Sequence, residues 1–266
     1  MPMKDFAEIN GINRIRYLSC PELGCKNGFF SRLRGVSTIP HLASLNVGYG
    51  LGDEKENVDE NRKRIANELG FDISKAVSAK QIHSAVVHTV TKDDFGASLL
   101  ECDGFVTDIP GTALMIKTAD CTPILFSDIQ NRVIGAVHAG WRGTVSKIAE
   151  ECVERMCELG AKRSSIRAAI GPCIHQCCYE VDLPFYNEIR SRLGEDICDE
   201  YVKKDASGDR FHADIAGMNR EILILSGIPK ENIFISGECT CCRPDIYFSH
   251  RASKGKRGVM MSAIVL

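Results

Sequence analysis

Three side chains that can bind a metal ion each lie beside a short apolar stretch of the chain. They are His83, Cys121 and His138. Side chains at strand ends have a rigid base and stay open to solvent. Two imidazoles and one thiolate suit zinc, and three protein ligands leave a fourth tetrahedral position open, as in catalytic sites. Spacing alone does not bring them together, so a structural His and a core Cys remain alternative interpretations.

Two charged residues adjoin these candidate ligands. Arg142 follows His138 in the run His-Ala-Gly-Trp-Arg-Gly-Thr, directly before a predicted helix. The N–H groups at a helix start and a guanidinium both favour anions, so Arg142 and this helix start are predicted to form an anion site. Asp120 precedes Cys121, and from this adjacency we expect it to accept a hydrogen bond from a ligand His or to carry a proton.

Further cysteines form two groups, at 173–178 and 239–242. They resemble halves of a structural zinc site, in which four thiolates close around the metal. Only Cys239 and Cys242 have the Cys-x-x-Cys spacing, so ordinary buried or loop thiols are the preferred interpretation. Cys152 lies on the apolar face of a predicted helix and is expected in the core.

The composition describes a globular chain with few signs of a macromolecular partner. It has 266 residues, 44% of them hydrophobic, a net charge of −2 and thirteen cysteines. Lys and Arg are scattered, so neither nucleic acid nor a membrane surface is an expected partner. The N-terminus lacks the apolar region of a secretory signal, which predicts a cytoplasmic protein whose thiols stay reduced. Phosphate-binding, dinucleotide-binding and serine-esterase motifs are absent from the sequence.

The sequence pattern predicts that short strands and helices position the candidate residues. The patterns predict helices over 57–69, 144–159 and 213–225. Strands are predicted over 85–90, 113–117, 123–126, 133–137, 166–170, 233–236 and 259–265. Because helices and strands do not alternate regularly, we predict an α+β protein, with mixed β-sheets flanked by helices in a single domain over 1–266.

Several runs together resemble the laccase-domain family, once called multicopper polyphenol oxidases and now linked to purine nucleoside phosphorylase activity. The most specific run is His-Ala-Gly-Trp-Arg-Gly-Thr at 138–144. Others are Gln-Ile-His at 81–83, Asp-Cys at 120–121, Ile-Gly-Pro-Cys at 170–173, Cys-Tyr-Glu-Val at 178–181, Ser-Leu-Asn-Val-Gly at 44–48, Glu-Asn-Arg at 60–62 and Phe-Ser-His-Arg at 248–251. Their order covers nearly the whole chain. Two departures are Asn27, where relatives often carry His, and His250, where they commonly carry Tyr.

The resemblance implies a purine nucleoside enzyme that contains zinc, with copper as an alternative metal. It assigns His83, Cys121 and His138 as metal ligands. It implies phosphorolysis of adenosine, inosine, guanosine and methylthioadenosine, together with deamination of adenosine. Purine nucleosides and phosphate are then the expected partners. The substrate-binding candidates are Arg142, Asn46, Arg62 and Arg251.

Other functions remain open at this point. A copper-dependent polyphenol oxidase could use a His₂Cys set, but a multicopper site needs more His, and the chain's seven His form no His-x-His pair. A metal-free cysteine hydrolase or deamidase would use Cys121 as the nucleophile and His138 as the base. A zinc-stabilised binding module would be no enzyme at all. The preferred nucleoside, the native metal and the oligomeric state are not decided by the sequence.

Overall fold

A computed structural model describes residues 5–96, 100–205, 208 and 210–266. The strands are β1 Ala7–Asn10, β2 Arg16–Ser19, β3 Lys26–Phe30, β4 Ala76–Val77, β5 Val87–Thr89, β6 Gly104–Thr107, β7 Ala113–Thr118, β8 Thr122–Asp128, β9 Val133–Ala139, β10 Arg167–Ile170, β11 Glu180–Val181, β12 Val202–Lys204, β13 Phe211–Ala213, β14 Ile233–Ile235 and β15 Met260–Val265. The helices are α1 Lys55–Leu69, α2 Trp141–Val145, α3 Ile148–Glu158, α4 Leu183–Leu193, α5 Glu195–Tyr201 and α6 Ile215–Leu225.

The strands form two large mixed sheets and one small sheet. The first has the order β1-β2-β3-β15-β7-β4, and the second has the order β14-β10-β8-β9-β6-β5. Most neighbours are antiparallel, whereas the pairs β4–β7, β5–β6 and β10–β14 are parallel. The small sheet has the order β11-β13-β12. The prediction of an α+β fold with mixed sheets flanked by helices is confirmed.

The core between the two large sheets follows from the two-residue period of a strand, in which successive side chains point to opposite faces. Leu125 of β8 points toward the first sheet and packs in one cluster with Phe29 and Leu114. Its neighbours Ile124 and Phe126 point to the other face, where they pack against α3 and α6. The central strands are therefore buried on both faces, which explains their nearly continuous apolar sequence.

The helix predicted over 144–159 is two helices in the structure. Lys147 has φ of 57°, a left-handed conformation that ends α2 and begins α3. The apolar stripe nevertheless faces the core as predicted, with Cys152, Val153 and Met156 fully buried. Helices α4 and α5, strands β1 to β4, strand β6 and the small sheet were not predicted. No helix within the described part of the chain is long and apolar enough to cross a membrane.

Gly171 marks a close approach between the two large sheets. It follows β10, and a Cβ built on it would lie 2.1 Å from the Phe29 ring of β3. We therefore expect Gly171→Ala to lower the free energy of unfolding by about 1–3 kcal/mol, the usual cost of overpacking a core. Denaturant unfolding measures this loss.

The control for this prediction is the same change in a Phe29→Leu background. There the smaller side chain leaves room, so Gly171→Ala should cost less than it does beside Phe29. An equal cost in both backgrounds would show that the steric contact with Phe29 is not the cause.

Candidate metal centre and adjoining pocket

The three candidate ligands meet at one end of the second sheet. His138 is the next-to-last residue of β9 and pairs with Pro123 of β8, so the Cys121 that precedes β8 lies beside the end of β9. His83 comes from the loop between β4 and β5. One donor atom from each of the three lies within 4.8 Å of the others. The arrangement is compact enough to hold one metal ion.

Gly140 leaves the space that such an ion would need. It directly follows β9, and a Cβ built on it would lie 3.2 Å from His83 Cδ2, 3.3 Å from Cys121 Sγ and 3.6 Å from His138 Cε1. All three ligands thus border a gap that any side chain at this position would fill. Its backbone is in the extended region, so glycine is needed here for space and not for a left-handed turn.

The carboxylate of Asp103 holds both histidines in place. Its Oδ1 accepts a hydrogen bond from His138 Nδ1 at 2.8 Å and from the His83 amide at 3.0 Å. Its Oδ2 accepts bonds from the amides of Ile82 and Ser84 and from the Ser84 hydroxyl. Because Nδ1 of His138 is occupied, Nε2 is the nitrogen left for a metal. No pattern in the sequence pointed to Asp103, since it lies 35 residues from His138 and in no recognised motif.

The charges of this cluster reinforce one another. Burial alone would raise the pKa of Cys121, but hydrogen bonds with His138 and His83 outweigh it and lower this pKa to about 6. Burial would lower the pKa of His138, whereas its bonds to Asp103 and Cys121 raise it to about 9. Asp103 is kept ionised in the same way against its burial, with a pKa lowered to about 2. Both shifts favour the charged forms of this pair, a thiolate on Cys121 and an imidazolium on His138.

Asp120 bonds to Thr240 and Arg251 and not to a ligand histidine. Its Oδ1 accepts a bond from the Thr240 hydroxyl at 2.6 Å, and its Oδ2 accepts one from the Arg251 amide at 2.6 Å. The expectation that Asp120 would bond to a ligand His is therefore wrong, because Asp103 occupies that position. That Asp120 carries a proton stays a prediction. Asp120 instead ties the Cys121 turn to the C-terminal loops. These bonds support a left-handed backbone, with φ of 86°, immediately before the thiol.

His83 and Cys121 of the triad line a pocket of about 360 Å³. Its apolar wall consists of Trp141, Tyr179, Ile174 and Ile215. Its polar lining includes Asp120, Arg142, His250, Arg251 and Arg257. The Arg142 guanidinium stacks over the Trp141 ring at 4.4 Å. Aromatic surface and guanidinium groups therefore converge beside the candidate metal ligands, which suits a flat apolar ring that carries polar or anionic substituents.

A second depression, of about 450 Å³, borders the triad on its other side. It is lined by Arg62 and Lys117 as well as by His83, Cys121 and His138. Burial and the charge of Arg62 lower the pKa of Lys117 to about 8. Lys117 and Arg257 were not predicted as site residues. A lysine inside an otherwise apolar strand was the available signal for the first, and nothing in the sequence indicated the second.

Three of the four predicted substrate-binding residues line the two depressions, and the fourth is buried elsewhere. Arg142 and Arg251 line the first pocket, and Arg62 lines the second depression. Asn46 is fully buried, and its amide bonds to Gly48, Asp53 and Val259. These bonds use both ends of the amide, so Asn46 shapes the loop at 46–53 and is not placed to touch a substrate.

Known proteins are similar to this chain along nearly its full length. Residues 26–266 match the family model described as multi-copper polyphenol oxidoreductase laccase. A relative from Deinococcus radiodurans, named purine nucleoside phosphorylase, is 38% identical over 251 residues, covering 94% of this chain and 92% of the relative. A relative from an unknown prokaryotic organism, named adenosine deaminase RL5, is 34% identical over 230 residues, covering 84% of this chain and 87% of the relative.

A solved structure shares the whole architecture. The crystal structure of the Bacillus licheniformis hypothetical protein YfiH has a TM-score of 0.91 and is 33% identical, with 99% of each chain covered. The similarity therefore includes the loops that carry the candidate ligands as well as the sheets.

Asp103 provides a test of how the two histidines are held. In Asp103→Asn, one oxygen that now accepts hydrogen bonds becomes an NH₂ group that faces N–H donors. We expect the affinity of the triad for zinc to fall by roughly 10–100-fold, the usual effect of losing a buried carboxylate partner of a ligand His. Competition with a chelating dye measures this affinity.

Ser84→Ala is the matched control for this change. It removes a hydroxyl that bonds to Asp103 but leaves the bond from His138 Nδ1. A smaller loss of affinity is expected. Equal losses in the two variants would mean that Asp103 acts only by ordering the loop at 82–84.

Proposed function

The chain belongs to the multi-copper polyphenol oxidoreductase laccase family, and on this premise we propose that it is a zinc-dependent enzyme of purine nucleosides. It cleaves adenosine, inosine, guanosine and methylthioadenosine with phosphate, and it also deaminates adenosine. The single observation that carries the proposal is the cluster of His83, Cys121 and His138, two of which, His83 and Cys121, line a pocket with aromatic and guanidinium walls.

The donor set fits zinc. Two imidazole nitrogens and one thiolate converge beside the gap left by Gly140, and the pKa of Cys121 favours the thiolate that zinc requires. When bound here, zinc would act as a Lewis acid facing the pocket. Asp103 maintains the orientation of His138, and His83 supplies the more exposed side of the ligand set.

The pocket residues have separate tasks in this proposal. Trp141 and Tyr179 supply a flat apolar surface for the purine, while Arg142 and Arg251 supply positive charge for phosphate or ribose oxygens. Breaking the glycosidic bond develops positive charge on the sugar, and a phosphate held beside it stabilises that charge electrostatically. Arg142 is our first candidate for holding this phosphate, because its planar guanidinium can make two parallel bonds to it.

A copper oxidase is less well supported by the site. Within the described ranges, the groups that could hold a metal are the triad and a cluster of four cysteines. A multicopper oxidase needs additional clustered histidines, and neither group supplies them. A metal-free cysteine hydrolase keeps one specific observation in its favour, the hydrogen bond between Cys121 and His138, whose pKa shifts favour a nucleophilic thiolate. Activity that is lost when the metal is removed would distinguish the zinc enzyme from this metal-free hydrolase.

The first functional prediction concerns the ligands themselves. Replacing His83, Cys121 or His138 by Ala should remove one equivalent of zinc per chain and abolish phosphate-dependent release of base from adenosine. The matched control is Cys152→Ala, which removes a buried thiol from α3. It should retain metal and turnover and lower the free energy of unfolding by only about 1 kcal/mol. Full turnover by Cys121→Ala, or by zinc-free protein, would contradict the proposed function.

The second functional prediction separates the two reactions at Arg142. Arg142→Lys keeps the charge but loses the planar fork, so apparent phosphate affinity should weaken by roughly tenfold or more. Deamination brings only water and a neutral base, and it should fall less. Both reactions are measured on one sample across a phosphate titration.

The remote surface change Arg155→Lys serves as control, since Arg155 pairs with Glu151 and Glu158 on α3. Equal losses of both reactions in Arg142→Lys would mean that Arg142 binds the nucleoside or supports Trp141. Unchanged phosphate dependence would assign the phosphate to Arg62, Arg251 or another cationic residue.

A further inference from the structure

We propose that Cys177, Cys178, Cys239 and Cys242 hold a second metal ion, a structural zinc that joins two loops behind the pocket. The four residues belong to two turns that are more than sixty positions apart in the chain and face each other in the fold. Their four sulfur atoms all lie within 4.8 Å of one another. The sequence favoured ordinary loop thiols, because nothing in it showed that the two turns meet.

The sulfur spacing fits a single tetrahedral ion. Cys242 Sγ lies 3.5 Å from Cys177 Sγ and 3.4 Å from Cys178 Sγ. Zinc–sulfur bonds of about 2.3 Å place two sulfurs of a tetrahedron about 3.8 Å apart. A disulfide would bring them to about 2 Å. An iron–sulfur cluster would hold its thiolates farther apart, because several irons and inorganic sulfides lie between them.

The backbone around Cys239 is arranged to stabilise a thiolate. Cys239 and Cys242 occupy the two ends of a Cys-x-x-Cys turn, the usual spacing of a pair of zinc ligands. The sulfur of Cys239 accepts hydrogen bonds from the amides of His175 and Cys242. One of these amides comes from each loop, so this sulfur already joins the two turns. Such N–H bonds stabilise the negative charge that a metal-bound sulfur keeps.

Exposure also supports a site that a metal can enter. Cys177 and Cys242 are exposed, Cys178 is half-buried and Cys239 is buried. Each thiol gives up its proton to water when the metal binds, so no oxidant is required.

The proposed ion lies behind one wall of the pocket. The Arg251 guanidinium donates hydrogen bonds to the carbonyls of Cys178 and Glu180. Thr240, inside the Cys-x-x-Cys turn, donates to Asp120 beside Cys121. A metal that joins the two turns would therefore fix Arg251 and Asp120 from behind without touching substrate. This role does not depend on the reaction catalysed at the triad.

The experiment measures zinc in chains whose triad is disabled. A His83→Ala/Cys121→Ala protein lacks two of the three triad ligands, so zinc retained after dialysis reports on the four cysteines. We expect about one zinc per chain. Adding Cys177→Ser/Cys242→Ser should remove it, and because both of these residues are exposed, the variant should fold. Adding Cys157→Ser, a half-buried thiol outside the cluster, should leave the zinc in place.

Two independent readouts complete the test. In the His83→Ala/Cys121→Ala protein, removal of zinc by a chelator should make Cys177 and Cys242 reactive toward a thiol reagent and lower the melting temperature. The same protein with Cys177→Ser/Cys242→Ser added should show neither response. Absence of zinc in the triad-disabled protein with all four thiols free would overturn the proposal. So would a disulfide within the cluster in freshly purified reduced protein, or equimolar inorganic sulfide with iron.

Discussion

The buried carboxylate of Asp103 is the constraint on which the candidate site depends. Its side chain is completely inaccessible to solvent, and a buried charge is tolerated only when it is paired and hydrogen-bonded. The loop at 82–84 and His138 provide those bonds. The same carboxylate therefore satisfies its own burial and fixes two of the three ligands relative to each other. Loss of either partner would leave the buried charge with fewer hydrogen bonds, which is costly in the core, and this explains why the loop of His83 lies so close to β9.

The layered fold gives this carboxylate a rigid base. Asp103 directly precedes β6, which pairs with β9, and β9 in turn pairs with β8. These strands are buried on both faces by the first sheet and by α3 and α6. The close packing of such an interior leaves little room for movement. Three segments distant in sequence thus present Asp103, Cys121 and His138 from one inflexible edge, and only His83 depends on a loop.

Sequence patterns predicted the parts of this arrangement that local chemistry determines. The apolar stripe of α3 and the buried strands follow from side-chain periodicity, and the metal ligands follow from the resemblance to known runs. Asp103, Lys117 and Arg257 were missed because their roles arise only from strand pairing and from loops that return to the site. The approach of the two cysteine groups was missed for the same reason, because the contact between the turns at 176–178 and 240–242 is a property of the tertiary fold.

Charge distribution links the fold to the proposed chemistry. The chain as a whole carries a net charge of −2, so its overall field does not attract phosphate. Around the triad, however, Arg62, Lys117, Arg142, Arg251 and Arg257 converge in the two adjoining depressions. Local positive charge in a partly desolvated pocket acts more strongly than scattered surface charge, because water and salt screen it less. The positive charge is therefore concentrated at the two depressions, where burial and, second, the charge of Arg62 lower the pKa of Lys117.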